Sequence, residues 1–257
     1  MEINKQLVTE RFAAALNHYD TEATPQQEIA QQLTSLWQQS IKARTAPYKV
    51  LEIGCGTGLF SKLLQQTLPH NSHLSMIDLC PEVEPLLREK VGHTPHFIAG
   101  DAEEITWGTP NYDLIASASC IQWWHNPANF FTKAYKYCKS NGTLLFSTFG
   151  PENMYQIRHV FGVGLHYAPL SEVRKALSNT GWRIEALQEY RTTLYRPSLL
   201  ELLSHIKRTG VNGLPLATPL TPQGLKRYDS IYRSLFAPAN QELPLTYHAL
   251  LCIAHKS

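Results

Sequence analysis

An α/β fold built on a parallel sheet is predicted by three observations. Between residues 48 and 150, short apolar runs alternate with helical patterns, which puts crossover helices on both faces of a parallel sheet. The first run, Val50-Leu51-Glu52-Ile53, turns through Gly54-Cys55-Gly56-Thr57-Gly58 into Leu59, Phe60, Leu63 and Leu64 at helical spacing, a buried strand feeding a tight turn and a helix. After an irregular stretch rich in Pro and Gly, the chain returns to a β-prone run at 246–254, so that stretch reads as an insertion before the final strand and not as a second domain. One domain results. Its parts are an N-terminal helical segment at 1–45, a core at 46–150, and a second half at 151–257 with a helical insertion at about 190–244.

Composition narrows the chemistry. A chain of 257 residues, 43% hydrophobic, can bury a full core. A net charge of +2 with 17% charged residues is too balanced for wrapping nucleic acid, although a local basic patch for an acidic partner stays open. No apolar stretch approaches the about 18 residues of a membrane span, and Met1-Glu2-Ile3-Asn4-Lys5-Gln6 lacks a signal-peptide core, so a cytoplasmic protein is expected. The five cysteines lie far apart with no C-x-x-C pair, which argues against both a disulfide framework and a zinc site. H-E-x-x-H and G-x-S-x-G are absent, disfavouring metalloprotease and serine-hydrolase chemistry.

Taken in order, Leu7, Val8, Phe12 and Leu16 predict a helix over 4–16 that breaks at His18-Tyr19-Asp20. A second helix follows Pro25, carried by Ile29, Leu33, Leu36 and Ile41. These helices either pack on the sheet edge or form a lid, with the Tyr19 hydroxyl at its hinge. Strands are expected at 49–53 and 74–77. The second ends in Asp78, about 20 residues past the glycine turn, where a carboxylate can accept both hydroxyls of a ribose. Pro81 opens a helix bearing Val83, Leu86, Leu87 and Val91. A short strand at 97–99 leads to Gly100-Asp101-Ala102-Glu103, whose Asp101 could accept from an adenine amino group. The fourth strand, 112–117, runs into Ser119-Cys120-Ile121-Gln122-Trp123-Trp124, where the Trp pair is either a substrate wall or the cap of the core. Asn126-Pro127 restarts a helix, Asn141-Gly142 turns, and 143–149 is a fifth strand closed by Gly150-Pro151-Glu152-Asn153. Ser171 caps a helix to residue 178, and 182–187 is a sixth strand. Helices at 198–207 and 222–235 then precede the final strand.

Glycines allow positive φ and close ligand approach, and they deliver a ligand to a helix N-terminus. A dinucleotide fingerprint would need its third glycine where Leu59 stands. E-x-G-x-G-x-G after a strand, with I-D at Asp78, A-G-D-A-E and Y-D-L-I-A-S, instead resembles the class I S-adenosylmethionine methyltransferases. The flanking A-L-N-H-Y-D-T-E-A, S-C-I-Q-W-W, T-F-G-P-E-N-M, L-L-S-H-I-K-R-T-G-V-N-G and P-L-T-Y-H resemble the malonyl-acyl-carrier-protein O-methyltransferases of early biotin synthesis. The likeness covers the whole chain. It implies a three-layer Rossmann-like methyltransferase fold, with a mostly parallel seven-stranded sheet whose last strand is antiparallel. It further implies that Gly54, Cys55 and Gly56 lie along the methionyl part of S-adenosyl-L-methionine with Glu52 near its amino group. Asp78 and the adjacent Leu79 hold the ribose, Asp101 and Ala102 the adenine, and Ser117 lies beside the methyl. Two departures are visible: Ala118 stands where such proteins often carry Asn, and 162–169 matches no motif.

The activity implied is transfer of a methyl group to the free carboxylate of a malonyl thioester on acyl carrier protein. A carboxylate is already ionised at neutral pH, so no general base is needed and none is evident. Alignment, exclusion of water and a hold on the anion are the remaining tasks. Tyr19, Gln122, Trp123 and Asn153 form the expected acceptor-side set. Arg196 is preferred over Arg191 as the fork that grips the carboxylate, because Pro197 fixes the entry to the next helix. Lys207, Arg208, Lys226 and Arg227 are the candidate docking patch for an acidic carrier protein, against the alternative of a solvated helix face. No metal, nucleic acid or membrane partner is expected, and a monomer is the simplest assembly. A quinone or another small carboxylic acid is the alternative acceptor, and a non-catalytic cofactor-binding regulator the alternative class.

Overall fold

Strand β1 (Lys49–Ile53) is apolar toward both faces, with Val50, Leu51 and Ile53 fully buried, and this places it in the middle of a sheet. The computed structural model describes residues 3–40, 46–92, 96–210, 221–237 and 241–257 and pairs β1 in parallel with β2 (His73–Asp78) and β4 (Tyr112–Ser117). β3 (His96–Ala99) continues the parallel run beyond β2, and β5 (Cys138–Phe149) beyond β4. The last strand, β7 (Leu243–Lys256), runs antiparallel between β5 and β6 (Trp182–Arg196), giving a seven-stranded sheet of order β3-β2-β1-β4-β5-β7-β6. The expected architecture is therefore observed. From β1 the chain moves outward to β2 and β3 and then returns to β4 on the other side. That reversal opens a crevice at the strands' carboxyl ends.

Alternation along β1 divides the core. Val50 joins an apolar layer with α2 (Thr24–Ser40), α3 (Leu59–Gln65), α4 (Glu84–Val91), α8 (Leu199–Arg208) and α9 (Pro222–Phe236), through Ile29, Leu33, Phe60, Leu64, Leu87, Leu202 and Tyr232. Leu51 and Ile53 face the opposite layer, where α5 (Pro127–Tyr137) and α7 (Leu170–Thr180) supply Phe130, Phe131, Ala134, Val173 and Leu177. Two further helices, α1 (Lys5–Glu22) and α6 (Tyr155–Phe161), pack on the first layer through Phe12, Leu16, Ile157 and Phe161.

Several local expectations are corrected. The first helix does not break at His18-Tyr19-Asp20 but runs to Glu22. Lys90 and Thr57 both bind the Asp20 carboxylate and hold those last turns. Tyr19 is consequently a helical residue, not a hinge. α2 begins at Thr24 with Pro25 in its first turn, and Ile41 lies outside the described residues. Asn141-Gly142 does not end a segment: β5 starts at Cys138, and Asn141 takes φ of +62° within it. Ser171 caps nothing, since α7 starts one residue earlier without a side-chain cap, and Gly181 closes it in the left-handed conformation. β6 extends to Arg196 because its ladder with β7 runs the whole length, so the insertion begins at Pro197 rather than near 190. α6 was not foreshadowed by the residue pattern. Within L-L-S-H-I-K-R-T-G-V-N-G, the last three residues lie outside the described residues.

Candidate active site

The glycine turn at the end of β1 is left-handed at Gly54 (φ +71°) and Gly56 (φ +52°), a region that L side chains rarely enter. Space is also short there. A Cβ on Gly54 would stand 2.1 Å from Cys120 Sγ, and one on Gly56 would stand 3.3 Å from the Phe12 ring. The Gly54 requirement thus comes from protein packing as well as from backbone freedom. Asp78 completes the turn from the end of β2. Its Oδ2 accepts from Gly56 N at 2.7 Å and its Oδ1 from Cys80 N at 2.9 Å, while burial pushes its carboxyl up and those backbone donors oppose the shift.

One cavity at this crevice gathers most of the residues expected from the sequence. Gly54, Cys55, Gly56, Asp78, Leu79, Asp101 and Ala102 line it from the sheet, and Tyr19, Gln122 and Trp123 line it from α1 and the segment after β4. The Trp pair divides its labour. Trp123 faces the cavity half-buried, whereas Trp124 is buried and packs edge-on against Trp107 and Phe130. Tyr19 is enclosed, and burial raises its phenol above its ordinary range, so it stays a neutral hydrogen-bond donor. Gln122 donates to Ser119 O at 2.6 Å and leaves its own Oε1 without a donor.

Four expected residues stand off the cavity wall. Glu52 is 1% exposed and lies beneath the glycine turn; burial, chiefly, pushes its carboxyl up to about 8, with the neighbouring Ser61 hydroxyl opposing the shift and Asp78 adding repulsion. Ser117 is fully buried and donates to Ile53 O at 2.9 Å, bracing β4 on β1. Asn153 is buried, its Oδ1 accepting from His248 N at 3.4 Å. Arg196 lies beside Glu22, Nη2 to Oε2 3.4 Å, while Arg191 is exposed and forked onto Glu152 at 2.9 Å.

The first two helices roof the cavity, the lid alternative of the two read from the sequence, although of their lining residues only Tyr19 is singled out for the site there. α1 contributes Lys5, Val8, Thr9, Phe12 and Tyr19, and α2 contributes Gln26 and Ala30. Lys5 Nζ binds Asp101 at 2.7 Å and Glu103 at 2.6 Å, and Glu103 also accepts from the backbone N–H groups of His125 and Asn126. Asp101 therefore already carries a cation. At the other end of α1, Glu22 takes Arg208 at 2.9 Å and His205 Nδ1 at 3.3 Å, and His205 Nε2 meets the Tyr247 hydroxyl at 2.8 Å. Thr209 and Gly210, just past α8, line the cavity as well. The Asn4 side chain accepts from Leu7 N at 2.9 Å and starts α1.

Unpaired acceptors on Gln26 and Gln122, beside an apolar trough and two acids and with Glu52 buried beneath the turn, suit a ligand with an ammonium group at one end and a nucleoside at the other. Residues 51–146 match the family described as "Methyltransferase domain". The malonyl-[acyl-carrier protein] O-methyltransferase of Bacteroides thetaiotaomicron is 36% identical over 99% of both chains. This chain belongs to that family. A protein of the same name from Bacteroides fragilis is 36% identical over 98% of this chain, which spans 51% of that longer relative. In fold, the chain is similar to an S-adenosylmethionine-dependent methyltransferase from Mesorhizobium loti, with TM-score 0.54 at 15% identity, covering 87% of this chain and 98% of the other. The cofactor of the family is S-adenosylmethionine, and the residues present fit it. Among the described residues, no cluster could hold a metal ion and no helix is long and apolar enough to cross a membrane.

Proposed function

We propose that this O-methyltransferase acts in the cytoplasm on a malonyl thioester carried by acyl carrier protein, giving the methyl ester that starts pimeloyl synthesis for biotin. The observation that carries this reading is a cavity floored by the glycine turn, with the Tyr19 hydroxyl and the Gln122 carboxamide on its acceptor side and no histidine among its described lining residues. S-adenosylmethionine bound there supplies a methyl group on a positively charged sulfur. That methyl would pass to a carboxylate oxygen of the acceptor, the electron pair of the carbon–sulfur bond returning to sulfur. No proton moves, which agrees with a Tyr19 hydroxyl that stays protonated. The protein's work is placement. Trp123 and Phe149 exclude water, and Tyr19 and Gln122 donate to the carboxylate without neutralising it.

Arg196 remains the proposed cationic contact, reached by exchanging Glu22 for the acceptor's carboxylate, with Asn153 supporting the wall from below. Carrier docking is assigned to the exposed Lys207, Lys226 and Arg227; Arg208 is already paired with Glu22. Intact-mass measurement of malonyl-loaded carrier protein after incubation with cofactor tests the reading. One added methyl, lost on ester hydrolysis, is expected; an unmodified carrier alongside a methylated quinone or free acid would replace it.

A further inference from the structure

Gln26 is the most conspicuous polar side chain of the cavity that the reaction does not use. It is 7% exposed, it faces the cavity, and its Oε1 has no donor. A buried carboxamide oxygen without a partner is costly in a folded protein, and such a group is kept where a ligand completes it. Ala30, one turn further along α2, lines the cavity on the same side.

Position selects the ligand group. The two acids suited to a nucleoside, Asp78 and Asp101, stand after β2 and β3, at one end of the crevice. α2 packs on α3, β5 and β7, at the other end. α3 follows directly from the glycine turn, so Gln26 overlooks the part of the trough farthest from the nucleoside acids. Glu52 lies below on the sheet face that α2 covers, as the side-chain alternation with Leu51 and Ile53 requires, buried with the Ser61 hydroxyl as its polar neighbour. A primary carboxamide presents one acceptor and one donor side by side. An α-amino acid headgroup presents the complementary pair, an ammonium and a carboxylate on one carbon.

We propose that Gln26 binds the amino-acid headgroup of the cofactor, its Oε1 accepting from the ammonium and its Nε2 donating to the carboxylate, with Glu52 beneath as the countercharge. The inference rests on the cofactor assignment above, and its test separates the two. S-adenosylhomocysteine carries the headgroup and 5′-methylthioadenosine lacks it, while both present the same nucleoside to Asp78. Calorimetric titration of both ligands into the whole protein, wild type and Gln26→Leu, gives the answer. Leucine keeps the volume and removes both hydrogen-bonding groups.

The expected result is a loss of about tenfold to a hundredfold in S-adenosylhomocysteine affinity. Binding of 5′-methylthioadenosine should stay within about twofold of wild type, which also shows that the variant is folded. Asp78→Ala should weaken both ligands alike. Equal losses on both ligands in Gln26→Leu would make Gln26 a packing residue. Unchanged S-adenosylhomocysteine affinity with a raised KM for the acceptor would assign it to the acceptor instead. Either result overturns the proposal, and wild-type protein that binds neither ligand would overturn the cofactor assignment itself.

Discussion

The floor and the roof of the cavity are built by different means. The floor is local: the glycine turn, Asp78 and the β1–β2 register are fixed by backbone geometry within a short stretch, and Asp78 reaches Gly56 across only 22 residues. The roof is held by side chains from distant parts of the chain. Lys5 meets Asp101 across 96 residues, and Arg208 meets Glu22 across 186. A floor of this kind tolerates no change of shape, whereas the roof is pinned at both ends by ion pairs between distant parts of the chain.

The largest effect expected from breaking the floor is that of Gly56→Val. A β-branched side chain at φ +52°, pressed against Phe12, should remove cofactor binding while the sheet stays folded. Calorimetry with near-wild-type affinity would show that the turn does not shape the site. Asp78→Ala should cost about 1–3 kcal/mol in cofactor affinity, combining lost ribose contacts with a loosened Gly56. Acceptor choice should not change.

On the roof, Glu22→Gln is the sharper probe. It removes the charge shared by Arg196, His205 and Arg208, so a loss of about 1–2 kcal/mol is expected in chemical denaturation, kept small because Arg208 is half exposed. Faster cofactor exchange with an unaltered floor would support a lifting roof. A stability loss with unchanged exchange would make the cluster purely structural.

Glu52 links the comparison to pH. Its folded carboxyl is raised to about 8 by burial in a pocket shared with Asp78, Cys55 and Ser61. Because the folded value lies above the unfolded one, the stability this group contributes is complete below the unfolded carboxylate range and is lost as pH climbs toward 8. Binding an ammonium needs the ionised form. Cofactor affinity should therefore rise by up to about tenfold per pH unit until pH is near 8, then level off. Glu52→Gln should bind more weakly with a flat profile; a slope that survives the substitution would place the titrating group elsewhere. The smallest effect concerns docking. Reversing Lys226 and Arg227 should raise KM for carrier-bound substrate a few-fold, in a salt-dependent way, and spare a short thioester mimic. Equal losses on both substrates would remove the patch.

This division also explains what could be read from the residues alone. β1 and β4 fall where their apolar runs place them, and the glycine turn and Asp78 meet as their spacing implies, because each depends on local backbone demands. Lys5 and Gln26 were invisible because nothing near them in sequence distinguishes them from surface residues; only the fold sets one against Asp101 and the other in the cavity. Arg196 was favoured for the proline that follows it, and its pairing with Glu22 was not legible there because it depends on a helix 174 residues earlier. Ser171 shows the converse. A good capping residue stood one position inside the helix because packing, not capping, set where α7 begins.

This cavity is proposed to methylate a free carboxylate presented by a carrier protein. The most direct test of this compares cofactor turnover with three carrier proteins that differ only at the terminal acyl group: malonyl, malonyl methyl ester and acetyl. Stoichiometric conversion of cofactor to S-adenosylhomocysteine is expected with the malonyl carrier alone, matched by one methyl ester per carrier. Turnover that is equal on the acetyl carrier, or absent on all three while a free acid or quinone is methylated, would contradict it.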